Sequence, residues 1–241
     1  MSDQIDMRIS GSTTMPGGEY GKVRISGSGK VQGNLKCESM TCSGAAKVLG
    51  DILCLGDVGI SGSFQCEGNV QAKEISASGS CEVGGSLSGD SLRISGSTKI
   101  GGGIHMGQVK CSGSVMVEGD VEGDTVKLCG KTEIKGLLNA ETVEISASGL
   151  SEIGDIGGTN IFVKEDGSRH VFVFFGPTCS RSMGLRVNTI EGDTVELENT
   201  TAKVVRGKRV IIGHGCRIER VEYSEHFEAA EGAVKQAVPL G

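Results

Sequence analysis

Residues 92–104, LRISGSTKIGGGI, recur at a fixed interval on both sides, and this recurrence limits the fold more than any other feature of the chain. Every second residue of the stretch, Leu92, Ile94, Gly96, Thr98, Ile100, Gly102 and Ile104, is apolar or small, as on the core-facing side of a strand. Adding 17 to each position reproduces the set from Val109 and, repeated, from Val126; subtracting 17 reproduces it from Ile75 and Val58. One step of 18 then reaches Met40, and a last step of 17 reaches Val23. Seven copies of seven slots hold no charge, and the third and sixth slots hold only glycine. Because 17 is odd, each copy needs a link where the chain leaves the pleat and starts again. A coil with one copy per turn provides that link and stacks equal slots as parallel strands about 4.8 Å apart. The expected fold is all-β: a single-stranded parallel β-helix, or β-solenoid, with tight corners at the paired glycines. Val58, Ile60, Ile94, Ile100, Ile104, Val117, Val121, Ile134 and Leu138 are its expected core. Ser26, Ser43, Ser61, Ser78, Ser95 and Ser112 sit just before the first glycine and are expected to form a ladder of hydroxyls along one corner.

Composition fits a thin core. The 40 glycines, 3% aromatic content and absence of Trp argue against an ordinary globular interior, and a disordered glycine-rich chain would lack a phased apolar repeat. A net charge of −6 gives no general attraction to nucleic acid or anionic lipid. Residues 1–11, MSDQIDMRISG, have neither the basic start nor the apolar centre of a signal peptide, so the reading is a soluble, cytoplasmic protein. Its nine cysteines then belong to a reducing compartment. Cys42, Cys66, Cys81 and Cys111 occupy inward slots and read as small core residues. Cys37, Cys54, Cys129, Cys179 and Cys216 have no assignment from the repeat.

The chain divides into a leading segment (1–22), in which Met7, Ile9, Gly11 and Thr13 approximate a weaker first turn, and the regular solenoid (23–158). A Phe-rich stretch and connector follow (159–189), then irregular β coils (190–223) and a polar tail (224–241). Within the Phe-rich stretch, a pair of alternating runs flanks Asp166-Gly167, a favoured hairpin turn. The hairpin either folds over the solenoid or offers Phe162, Phe172, Phe174 and Phe175 as an adhesive surface for another subunit or a membrane. Val195, Leu197, Val204, Val210, Ile212, Ile218 and Val221 mark the later coils, and residues 228–237 form a candidate short helix.

Motifs for chemistry are weak. Gly130-Lys131-Thr132 matches the end of a phosphate-binding loop, but Thr125 stands where the leading glycine is required and no helix follows. Residues 212–218, IGHGCRI, are similar to the hexapeptide repeats of left-handed β-helix acyltransferases, some of which use a histidine as general base. The likeness spans only about two hexads, and a capping or solvent-facing His214 is the favoured reading. Arg206, Lys208 and Arg209 read as a solvated basic face, with attraction for an acidic partner as the sharper alternative. No catalytic, cofactor-binding or metal-binding set emerges, so a non-enzymatic role is expected; a monomeric solenoid that binds through its flank is the other non-enzymatic reading.

The repeated V-x-I-S-G pattern, as at Val23 to Gly27, and V-x-G-x-V, as at Val117 to Val121, resemble the bactofilins, bacterial polymer-forming cytoskeletal proteins. The likeness covers about residues 23–156 and is greatest to the longer Gram-positive members, in which a hairpin region and a VEY-containing end follow. It implies a right-handed helix and assembly end to end without nucleotide or other cofactor. It also implies a scaffold for envelope, division or motility machinery. The partners so implied are further copies of the chain, related bactofilins, and cell-envelope or flagellar proteins, with peripheral membrane contact and no nucleic acid.

Overall fold

The computed structural model describes residues 5–147, 149–164 and 184–240. Every element among them is a strand, and the pairings between successive coils are parallel. The fold is a β-solenoid with about 17 residues per turn. The chain forms two compact units, 1–124 and 125–241.

In the first unit the slots read from the sequence become columns of Cα partners. Met7, Val23, Met40, Val58, Ile75, Leu92 and Val109 stack in succession. All seven are at most 2% exposed. A second column runs Leu35, Ile52, Val70, Leu87, Ile104, and a third Val31, Val48, Cys66, Val83, Ile100, Val117. Each column lies on a separate face, so a typical coil is three short strands around one narrow apolar interior. The coil beginning at Asp57–Ile60, followed by Ser63–Cys66 and Val70–Gln71, is an example. Of the residues expected in the core, Val58, Ile60, Ile94, Ile100, Ile104, Val117 and Val121 are at most 4% exposed in this unit.

The glycines of the first corner are required for a reason other than backbone torsion. A Cβ placed on Gly44, Gly62, Gly79, Gly96 or Gly113 would collide with the carbonyl oxygen of the equivalent glycine one coil earlier. The coils stack too closely there for any side chain. The serines that precede these glycines do stack, but the hydroxyls of Ser26, Ser78 and Ser112 donate to the carbonyls of Ile9, Ile60 and Ile94 on the previous coil. At these three positions the hydroxyl is bonded to a carbonyl of the previous coil and not to the next hydroxyl of the expected ladder. A polar ladder instead occupies the second corner. Asn34 Oδ1 accepts from the Asp51 N–H, Asp51 Oδ1 from the Asn69 N–H, Asn69 Oδ1 from the Ser86 N–H, and Ser86 Oγ from the Gly103 N–H, at 2.7 to 3.0 Å. Each side chain thereby satisfies a corner N–H of the next coil that the sheets leave over.

The interior is filled as the thin-core argument requires. Cys42, Cys66, Cys81 and Cys111 are buried, and so are Cys37, Cys54 and Cys216, whereas Cys129 is exposed. Cys37 and Cys54 are Cα partners on adjacent coils. Their mutual hydrogen bond pushes the Cys37 thiol up and holds the Cys54 thiol down. Burial pushes the Cys66 thiol up to about 11 and the Cys81 thiol up to about 12, from an ordinary value of 9.0. The folded chain keeps these protons at a pH where the unfolded chain has lost them. Their contribution to stability is therefore complete below pH 9 and is lost as pH rises through 11 and 12. The melting temperature is expected to fall above pH 9, by the equivalent of roughly 2 to 3 kcal/mol per thiol at pH 11. A Cys66→Ala, Cys81→Ala double variant should fall less steeply when followed by circular dichroism. Identical slopes would refute the assignment.

Thr98, between Cys81 and Val115 in its column, has a buried hydroxyl with no hydrogen-bond partner among the described residues. Thr98→Val keeps the branched shape and removes that desolvation cost, so a gain of about 1 kcal/mol is expected in a urea titration. A lower midpoint would mean that the hydroxyl is satisfied.

In the second unit the strands are longer and bend through the corners without a break. They are most of Val121–Ala147, then Leu150–Val163, Gly184–Leu197, Thr200–Ile212 and Arg217–Ala229, with Val234–Pro239 last. Their columns include Ile134, Ile153, Val187, Ala202 and Ile218, and also Leu138, Ile156, Ile190, Val205 and Val221. Ile134 and Leu138 are 2% and 0% exposed. The step now varies: Leu150 pairs with Gly184, Leu185 with Thr200, and Thr201 with Arg217. Two readings need correction. Val205 faces inward and Val204 is half-exposed, because a corner lies between Ala202 and Val205, where successive inward positions are three residues apart, as they are at Val187 and Ile190. No helix occupies 228–237. Ala229 ends one strand, Gly232 takes a φ of +73°, and Val234 begins a strand on Ile218. Ladder formation there overrides the helix propensity of an alanine-rich tract.

Candidate functional site

The clearest surface for association is the strand edge. In the first unit Met7–Ile9 pairs with the coil containing Val23 and Ile25. The carbonyls of Ile5 and Ile9 accept from Gly21 and from Ser26 and Gly27 of that coil. Successive residues of a strand aim their backbone groups to opposite sides, so the N–H and C=O of Asp6 and Arg8 point away from it. Among the described residues nothing pairs with that side. Ile5, beside it, is 78% exposed. In the second unit Val234–Pro239 pairs only with Ile218 to Tyr223, which leaves Ala229 and its neighbours with a single strand partner among the described residues. Tyr223 and Phe227 stack at 5.0 Å on that final coil. An open parallel edge accepts a strand of another molecule without any change to its own coil.

The residues singled out for chemistry are scattered. Phe162 is half-buried in Leu150–Val163, with the Lys164 ammonium 5.4 Å from its ring centre. Phe172, Phe174 and Phe175, with the Asp166-Gly167 turn and Cys179, lie outside the described residues. Gly130, Lys131 and Thr132 belong to the strand Val121–Ala147. The Thr132 N–H is taken by Ser151 Oγ, whose hydroxyl donates to the Gly130 carbonyl, so the tripeptide serves the ladder. His214 is exposed on a turn, and its carbonyl accepts from Asn199. Among the described residues no three or more His, Cys, Asp or Glu side chains are grouped to hold a metal ion. No helix of the described residues is long and apolar enough to cross a membrane.

Two members of the basic cluster, Arg206 and Lys208, are paired with acids on adjacent coils. Arg206 Nε lies 2.7 Å from Glu222, and Lys208 Nζ lies 2.9 Å from Asp193. Arg220 Nε also reaches Glu222 at 2.7 Å. The hydrogen bond from Arg206, assisted by the charges of Arg220 and Arg206, holds the Glu222 carboxyl below its ordinary range. The element that sequence reasoning missed is the corner ladder of Asn34, Asp51, Asn69 and Ser86. Its signal was present: the residue after the sixth slot is a side-chain acceptor in four successive copies.

Parallel coils of about 17 residues per turn, with an unpaired strand side at Met7–Ile9 among the described residues, define a β-solenoid. Within it, residues 1–88 match the family described as "Bactofilin: Polymer-forming cytoskeletal". The match includes the Met7–Ile9 edge and the first half of the repeats that carry the resemblance. An uncharacterized protein of Bacillus subtilis, YhbF, is 50% identical over 80 residues, which cover 33% of this chain and 30% of YhbF. A second, YhbE of the same organism, is 43% identical over 76 residues, or 27% of this chain and 30% of YhbE. The chain thus spans about a third of the length of these curated relatives. No solved structure matches.

Proposed function

We propose that the chain is a non-enzymatic cytoplasmic scaffold that polymerises end to end without nucleotide and holds envelope, division or motility machinery in place. The observation that supports this reading best is the outward-facing backbone of Asp6 and Arg8 on a strand edge inside the stretch matched to a polymer-forming family. Backbone pairing and burial drive such a joint, and neither consumes ATP or GTP.

Purified chain is expected to form elongated polymers in negative-stain images with no nucleotide or metal added, and to pellet on high-speed centrifugation. Arg8→Pro tests the edge itself. Proline removes one outward N–H and blocks close stacking, yet is tolerated on the free side of an edge strand. The variant should keep its circular dichroism spectrum and lose most of the pelleting fraction. A wild-type chain that stays monomeric across concentration and salt would overturn the proposal. Normal polymers from Arg8→Pro would move the joint elsewhere.

A further inference from the structure

The second unit carries a groove of about 560 Å³ on the outside of one face, across four successive coils. Its floor is formed along Val187, Ala202, Ile218 and Ala233, whose side chains are buried beneath it. Two rows of outward side chains wall it. Register places Arg186, Thr201 and Arg217 in one row. The other row holds Asn188, Lys203, Glu219 and Lys235, two positions beyond the first row along each coil.

Charge distinguishes this groove from the rest of the unit's flank. Four cations line it against one carboxylate, although the whole chain carries a net charge of −6. Arg186 pairs with Glu152 at 2.7 Å, and Lys235 reaches Glu219 at 3.7 Å. Lys203 and Arg217 have no acidic partner among the described residues. The row neighbours of Arg217 are neutral, and Glu219 beside Lys203 is turned to Lys235. Two uncompensated cations within one trough leave a standing attraction for negative charge.

We propose that this groove binds an extended acidic peptide segment of a partner protein. Four coils at the parallel spacing of about 4.8 Å span roughly 14 Å, the length of about four residues of extended chain. The cations come one per coil and change rows at each step: Arg186, Lys203, Arg217, Lys235. An extended peptide lying along the groove also sends successive side chains to alternate sides, so neighbouring acidic residues meet opposite walls. Thr201 and Asn188 supply neutral hydrogen-bonding groups between the charges, suited to peptide N–H and C=O. No aromatic side chain lines the trough to stack on a base, and no apolar side chain rises from it to enter a bilayer.

The test uses the full chain and a fluorescein-labelled peptide with four consecutive glutamates flanked by serines, read by fluorescence polarisation. Binding is expected, with weakening as salt rises, and the same peptide with four consecutive glutamines should not compete. Lys203→Glu with Arg217→Glu should weaken binding by roughly tenfold or more, while Lys30→Glu in the first unit leaves it unchanged. Both reversed positions are exposed, and an unaltered melting curve confirms that the variant folds. Equal binding of the two peptides, or indifference to the double reversal, would overturn the proposal. Tighter binding of oligothymidylate or full displacement by millimolar inorganic phosphate would also overturn it, in favour of a nucleic-acid or small-anion site. Pelleting of the double variant separates this groove from assembly, since the strand edge is untouched.

Discussion

Val117→Lys is expected to unfold the last coils of the first unit or to shift the midpoint of its denaturation by several kcal/mol. Val117 is 0% exposed and stacks directly on Ile100, which is also 0% exposed. Its column holds valine, isoleucine and one cysteine, with no acceptor for an ammonium group. The three faces enclose a narrow interior, so the lysine stem cannot reach water without separating two sheets. Even after relaxation, an unpaired buried ion costs several kcal/mol, comparable with the whole stability of a domain of about 5–15 kcal/mol. Val117→Ala, which only leaves a small cavity, should cost about 2 kcal/mol. Guanidinium titrations of both variants set the scale. A lysine variant with the wild-type midpoint would remove Val117 from the core.

The first unit was open to sequence reading because its step hardly varies, no inward slot holds a charge, and the third and sixth hold only glycine. Met7 could be joined to Val23, and Leu92 to Val109, by counting alone. The corners at the paired glycines were legible, whereas the third, between Cys37 and Met40, showed only as the link that an odd step requires. In the second unit the step contracts between Leu185 and Thr200 and is twice the usual length between Leu150 and Gly184. Counting loses phase there, and strict alternation from Ala202 misses the three-residue spacing at the corner, which is how Val204 stood in for Val205. The same variation hid the groove: Arg186 and Arg217 are distant in sequence and share a row only because two unequal steps carry one onto the other. Pairing of Arg206 with Glu222 likewise depends on register, whereas the run of basic residues suggested a free charged face.

Gly79→Ala is expected to be among the most damaging single-methyl additions in the chain, at roughly 2–4 kcal/mol. A Cβ at Gly79 would meet the carbonyl oxygen of Gly62 and, at 2.7 Å, that of Ser61. Both obstacles are backbone, so no side chain can swing aside. Nor can the corner lift away freely. The Ser78 N–H donates to the Ile60 carbonyl at 2.8 Å and the Ser80 N–H to the Gly62 carbonyl at 3.0 Å, which ties the chain on either side of Gly79 to the previous coil. Making room for the methyl therefore stretches two ladder bonds together. Gly59→Ala is the matched control. Gly59 lies in Asp57–Ile60 with its nearest potential contact, Ser76 Oγ, at 3.9 Å, and its φ lies outside the left-handed range. There alanine lowers the entropy of the unfolded chain at no steric cost and should raise stability by about 0.5–1 kcal/mol. Opposite signs for the two substitutions in thermal melts would mean that coil-to-coil spacing, and not glycine flexibility, requires glycine at the first corner. Equal small losses would mean that the coils are looser there than the ladder distances imply.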